Sequence, residues 1–307
     1  MSMRSFAAAP PMAVAAASAS AGRKGRTARR RRHATSTALV LVYAVLMVWT
    51  FMPIYNMVMI ALEHEGDVYG NNIVPVQPSL DSFWVVFTQG YWYLEHFWHQ
   101  LGNSFYMATA TMVLTVLIAS LVSFALGRMR LRHAWLVSNI ALLTYTLPAA
   151  FLLIPFVHLM RVYGLSDSLW AVVAAEVTFA TPYAILVLNG YSRLIPLELD
   201  ESAKVDGATP LQMYFRIYLP LMAPALVAVG VYALLLAWNE YQYQYLLISS
   251  PRNATVAVAM NQFFDSDEAP WNYMMATALI YSLPPVAIYF ALRRYMVAGL
   301  TMGAIKG

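Results

Sequence analysis

Six times in 307 residues the chain runs for about twenty residues or more with almost no charge: Ala38 to Ile60, Phe105 to Gly127, Ala134 to Met160, Leu169 to Leu188, Leu221 to Ile248 and Met274 to Leu292. A helix rises about 1.5 Å per residue, so each stretch can cross a hydrocarbon layer about 30 Å thick. No water in that layer can satisfy a backbone N–H or C=O, and a helix satisfies both internally. The pattern predicts an all-α membrane protein with six transmembrane helices. Composition agrees, with 60% hydrophobic and 11% charged residues, against roughly 25% charged in soluble domains. The fifth stretch is apolar only to Trp238 and turns polar from Asn239 to Gln244, so its end is expected to face protein or water. The absence of cysteine excludes a disulfide-stapled fold. High hydrophobicity excludes a disordered chain. The net charge of +4 comes largely from one cluster, Arg23 to Arg32, which argues against a nucleic-acid reader.

Lys and Arg are retained in cytoplasmic segments during insertion. With the N-terminus inside, 17 of the 19 basic residues fall on the cytoplasmic side, and only Arg161 and Arg252 lie outside. The outer connections carry Glu63, Glu65, Asp67, Asp81, Glu95, Asp265, Asp267 and Glu268. Both termini are therefore expected in the cytoplasm. Ala17-Ser18-Ala19 resembles a cleavage site, but the charges follow the small-residue stretch instead of preceding it, so residues 1–34 are expected to form a disordered basic tail. Residues 35–296 then hold the six helices and 297–307 a cytoplasmic tail.

One cytoplasmic connection, Ser192 to Pro220, is long and organised. Pro196 suits a first helical turn, and Glu198, Asp200 and Glu201 crowd the end that the helix dipole makes positive. Gly207 fits a C-terminal cap, and Thr209 with Pro210 starts a second helix. Two short helices broken at Gly207 are expected. Leu197, Ala203, Val205, Leu211 and Tyr214 would offer apolar contacts, flanked by charge, to a partner protein.

Glu201-Ser202-Ala203-Lys204-Val205-Asp206-Gly207-Ala208, followed by Ile217-Tyr218-Leu219-Pro220, resembles the EAA signature of permease subunits in bacterial ABC importers. The departure is Ser202, where that family prefers Ala. Trp238-Asn239-Glu240 is similar to a motif of the carbohydrate-importer branch, and the ending Arg294 to Gly307 to the tail of its maltose-type second permease. The resemblance covers roughly Ser104 to Gly307. It implies the ABC type I importer permease fold in a bacterial inner membrane. It also implies a heterodimer with a second permease, two ATPase subunits holding ATP and Mg²⁺, and an extracytoplasmic solute-binding protein delivering a sugar-like substrate. Glu201, Ala203, Asp206, Gly207 and Ala208 would then contact the ATPase. The outer loop Ser250 to Asn272, with Asp265, Asp267, Glu268 and Trp271, would dock the binding protein.

The chain has no Gly-x-x-x-x-Gly-Lys-Ser/Thr loop, so no cofactor or ATP site is expected in it. Glu95-His96-Phe97-Trp98-His99 has metal-ligand residue types, with His at i and i+3 but no further candidate cluster, and fits better as part of an interfacial segment. Ionisable groups inside a membrane are costly and invite functional readings, here Glu176, Glu240 and His158. Tyr241-Gln242-Tyr243-Gln244-Tyr245 combines aromatic faces with amides, as sugar sites do. Glu176, Glu240, Tyr241, Tyr243 and Gln244 are candidates for a substrate pathway. Tyr241 and Tyr245 would share one helical face. Packing against a companion permease is the alternative for that run. Two rivals remain: a permease for a non-sugar solute, and a proton-coupled secondary transporter using Glu176 and Glu240.

Overall fold

The computed structural model describes residues 37, 39–68, 70, 73–129, 131–264 and 270–302. The basic cluster Arg23 to Arg32, the docking candidates Asp265, Asp267 and Glu268, and residues 303–307 of the tail lie outside the described residues. Residues up to Met59 form a unit of their own, whose described part belongs to helix α1, Leu39–Ala61. The second unit begins at Ile60.

All regular structure among the described residues is helical. Among the described residues five helices are long and apolar enough to span a membrane, and a helix pair bent by 90°, Ala134–Thr146 with Ala149–Val162, makes six if it is counted as one span. After α1 come α2 (Asp81–Thr88) and α3 (Phe97–Arg128), then α4 (Ala134–Thr146) and α5 (Leu153–Val162). Next are α6 (Leu169–Ser192), α7 (Glu198–Val205), α8 (Pro210–Met213) and α9 (Leu219–Trp238). Two short helices, α10 (Gln242–Leu247) and α11 (Val256–Ala259), precede α12 (Trp271–Met302).

Two of the six expected spans differ from the sequence reading. Ala134 to Met160 is not one helix. Pro148 disfavours helical backbone at the residue before it, and Leu147 is extended, with ψ 126°. The fifth span ends at Trp238, and the polar stretch beyond it forms α10.

α3 packs against both α6 and α9. At 32 residues it is about 48 Å long, so it reaches beyond the hydrocarbon layer. Ser104, Ala108, Thr111, Thr115, Ala119 and Ser123 are buried along it at three- and four-residue steps, about one helical turn, with Ser120 buried beside them. Small residues on one face let helix backbones approach where no hydrophobic force drives association. α6 answers with buried Ala171, Ala175, Ala180 and Ala184. One cluster, with Trp238, Tyr243 and Met160, lies towards the acidic outer end. A second, with Phe124, Tyr214 and Tyr218, fills the basic end. α2, the Trp92–Leu94 turn and α12 bury Val86, Tyr93, Phe97 and Met274 together. Trp84, Phe87, Trp92 and Trp98 stay exposed beside them, as an interfacial segment requires.

Candidate functional site

At the basic end, α6 gives way to α7 through residues 193–197. Glu198, Asp200 and Glu201 occupy the first turn of α7 and Lys204 its last, the distribution the helix dipole favours. The helix stops at Gly207, whose φ is +78°. A side chain is strained there, and glycine is not. The turn closes with Gly207 N–H donating to Lys204 C=O at 3.1 Å and Ala208 N–H to Ala203 C=O at 2.9 Å. A capping box then opens α8: Thr209 Oγ1 accepts from Gln212 N–H at 3.3 Å, and Gln212 Oε1 accepts from Thr209 N–H at 2.8 Å.

The second helix does not stop after a few residues, as two short helices would require. It runs through a π-turn, Tyr214–Tyr218, directly into α9. The expected cytoplasmic helix is thus the start of a membrane span.

The turn is a knuckle with two kinds of surface. Glu201, Lys204, Val205, Asp206, Gly207 and Leu211 are exposed, with Val205 at 88%. Ala203 and Tyr214, expected to meet a partner, are instead buried against Phe124, Met213 and Tyr218. Asp200 is buried too, and its carboxylate lies 3.3 Å from Arg128 Nη1 at the end of α3. Arg128 Nη1 also donates to Ile195 C=O at 3.1 Å. Sequence reasoning placed Arg128 in a topology count and Asp200 in a dipole effect; pairing residues 72 positions apart needs the fold.

The pathway candidates are largely committed to structure. Glu240 Oε1 accepts from Tyr243 N–H at 2.7 Å and Oε2 from Gln244 N–H at 3.1 Å, so the carboxylate caps α10. Tyr243 is buried and donates to Ala149 C=O at 2.8 Å. Gln244 is fully buried and accepts from Thr255 Oγ1. Glu176 is buried in α6, near Tyr232 and Tyr243. Tyr241 and Tyr245 do share a face, their rings stacked 5.5 Å apart. Tyr245 is exposed.

Trp238 is buried, stacked on Tyr281 at 4.9 Å and edge-on to Phe105, and its carbonyl accepts from the Tyr281 hydroxyl. At the acidic end, Asp167 adopts φ +55°. Its Oδ1 accepts from Ser249 N–H at 2.8 Å and Ser250 N–H at 3.0 Å, and its Oδ2 from Asn253 Nδ2 at 3.2 Å. These bonds, first that from Ser250 N–H, hold its carboxyl below the ordinary aspartate range against a partly opposing effect of burial. Trp271, the one docking candidate within the described residues, packs edge-on to Phe264 at 5.6 Å.

A bundle of apolar spans with a capped helix–turn–helix projecting from its basic end defines a multi-pass membrane transport component. The chain belongs to the family described as binding-protein-dependent transport system inner membrane component, whose model matches residues 119–301. It is therefore the inner-membrane component of an ABC importer that works with a solute-binding protein. It is 28% identical over 267 residues to the inner membrane ABC transporter permease protein YcjP of Escherichia coli, covering 86% of this chain and 94% of that one. The trehalose transport system permease protein SugB of Mycobacterium tuberculosis is 30% identical over 84% of this chain and 93% of its own. The diacetylchitobiose uptake system permease protein DasC of Streptomyces coelicolor is 30% identical over 86% and 94%. A bacterial ABC transporter involved in the import of the acidic polysaccharide alginate has the same fold, with a TM-score of 0.74 at 18% identity, covering 85% of this chain and 95% of that one.

Proposed function

We propose that this chain is one of two permeases through which a sugar, polyol or sugar derivative passes inward by alternating access, driven by ATP hydrolysis in two separate ATPase subunits. This chain holds no ATP site of its own; ATP and Mg²⁺ bind in those partners. The basic end and both termini face the cytoplasm. The carbohydrate class is supported by relatives named for trehalose and diacetylchitobiose. The observation that carries the reading is the exposed knuckle around Gly207, a short rigid element suited to moving a helical bundle as a body.

Glu201, Asp206, Gly207 and Ala208 meet the ATPase, with Val205 and Leu211 as its apolar contacts. Ala203 supports the knuckle from beneath. The stacked pair of half-buried Tyr241 and exposed Tyr245 is the aromatic part of the polar run placed to meet a passing sugar ring. Glu201→Lys reverses a charge on the exposed face, and Gly207→Pro demands a φ near −65° where the turn needs a positive one. Each is expected to cut uptake by about tenfold, equivalent to about 1.4 kcal/mol of coupling, while the subunits still assemble. Assembled mutant complexes whose binding-protein-stimulated ATPase activity stays normal would remove the coupling role.

A further inference from the structure

We propose that the buried Arg128–Asp200 ion pair is a strut that makes α7 and α3 move as one body, so that a push on the knuckle enters the bundle through its central helix. The inference rests on the proposed docking of the knuckle to an ATPase.

Along the chain α7 is joined to the bundle at two non-helical places, residues 193–197 and the Gly207 turn. Held by those alone it would pivot under load. Both places are tied to α3. On one side, Arg128 reaches Asp200 within α7 at 3.3 Å and donates to Ile195 C=O in the connecting turn at 3.1 Å. The end of α3 also backs directly onto the end of α6: a Cβ added at Gly127 would lie 2.7 Å from Ser192 Oγ, so glycine is what lets the two ends approach this closely. On the other side, Tyr214 and Tyr218 of the π-turn hydrogen-bond to Ser120 and Ser123 of α3 at 2.7 and 3.0 Å.

Four acids surround the Gly207 turn, and of these only Asp200 is buried. Its side chain and that of Arg128 are 7% and 2% exposed. A buried charge that loses its partner is strongly penalised, so this pair resists separation more steeply than an apolar contact of the same size. The contact is a charge contact and not an aligned hydrogen bond, since Asp200 Oδ2 has no hydrogen-bond donor. It fixes separation while tolerating small rotations. Arg128 and Asp200 are positioning residues, acting through the helices they join.

The chain has no cysteine, so two spin labels can be placed without background in this subunit. Val205→Cys puts one on α7 at an 88% exposed site, and Leu121→Cys puts one on α3 at a 45% exposed site. The distance between them is measured in the complete transporter with cysteine-free partners, nucleotide-free and after ATP–vanadate trapping. With the native pair the distance is expected to be the same in both states. With Asp200→Asn it is expected to shift by more than about 2 Å on trapping, the size of ordinary helix displacements. A shift in the native pair overturns the strut. So does an Asp200→Asn distance that stays fixed while the Val205 label is immobilised by the ATPase. A Val205 label that remains mobile in the complex removes the docking itself, and with it the strut's role. Should Asp200→Asn not accumulate, the double variant Arg128→Met with Asp200→Leu, which removes both charges without leaving one buried and unpaired, carries the same comparison.

Discussion

Asp167 shows how one residue can hold two connections of a membrane protein together. It sits at φ +55°, which Asp tolerates better than most residues. From there its carboxylate collects the backbone N–H groups of Ser249 and Ser250 and the Asn253 amide. Because its carboxyl is held below the ordinary range, its stabilisation is complete above about pH 4, where the unfolded group ionises. It is lost only as pH falls through the lower folded value. Hydrogen exchange at Ser249 and Ser250, corrected for intrinsic rates, should therefore show constant protection from about pH 7 to 5. Asp167→Ala should abolish that protection at every pH. Protection that fades between those values in the native chain, or survives in Asp167→Ala, would refute the assignment. Nothing in the sequence distinguished Asp167 from other loop acids, because its partners lie more than 80 positions away. Gly207 was legible, since its role is local: glycine takes a positive φ with least strain, and here it stands between an acidic helix start and a Thr-Pro cap.

At the scale of elements, the apolar stretches marked where spans lie, because length and hydrophobicity are properties of the segment itself. Their breaks were harder to read. Leu147-Pro148 interrupts a stretch whose hydropathy is continuous, and the π-turn at Tyr214–Tyr218 carries the second of the two expected short helices straight into a membrane span. In both cases packing and single-residue backbone constraints override the window average. The end of the fifth span offers a test between readings of Glu240. As a cap its carboxylate needs only acceptor oxygens for Tyr243 and Gln244 N–H. Glu240→Gln keeps one such oxygen and should leave transport within about twofold of native, while Glu240→Ala should cost about 0.5–2 kcal/mol of stability, as loss of a cap does. Thermal unfolding in detergent and uptake in proteoliposomes would measure the two effects. A proton-coupled carrier predicts the reverse for uptake, with Glu240→Gln losing it entirely and transport proceeding without any ATPase.

For the whole molecule, charge scarcity and charge placement carried most of the reading. The family match over residues 119–301 and the alginate-transporter fold agree with it. What lies between subunits is not written in one chain, because each interface is half a surface. The outer loop is the clearest case. Between Ala254 and Asn272 it is anchored by buried Ala254, Val256 and Phe263. Asn103 fixes its entry by donating to the carbonyls of Arg252 and Ala254 at 2.8 and 2.9 Å. We expect Asp265, Asp267 and Glu268, which fall within this loop in sequence, to offer negative charge to a binding protein. Electrostatic docking of this kind acts mainly on the association rate and weakens within a Debye length of about 8 Å at physiological salt. Neutralising all three acids together, as Asp265→Asn, Asp267→Asn and Glu268→Gln, should slow association of the binding protein and flatten its dependence on salt. Dissociation should change much less, because that rate reflects packed short-range contacts more than long-range charge. Surface-plasmon measurements on the assembled transporter over a range of salt would separate the two rates. An association rate that ignores both the substitutions and the salt would assign docking to other parts of the outer face.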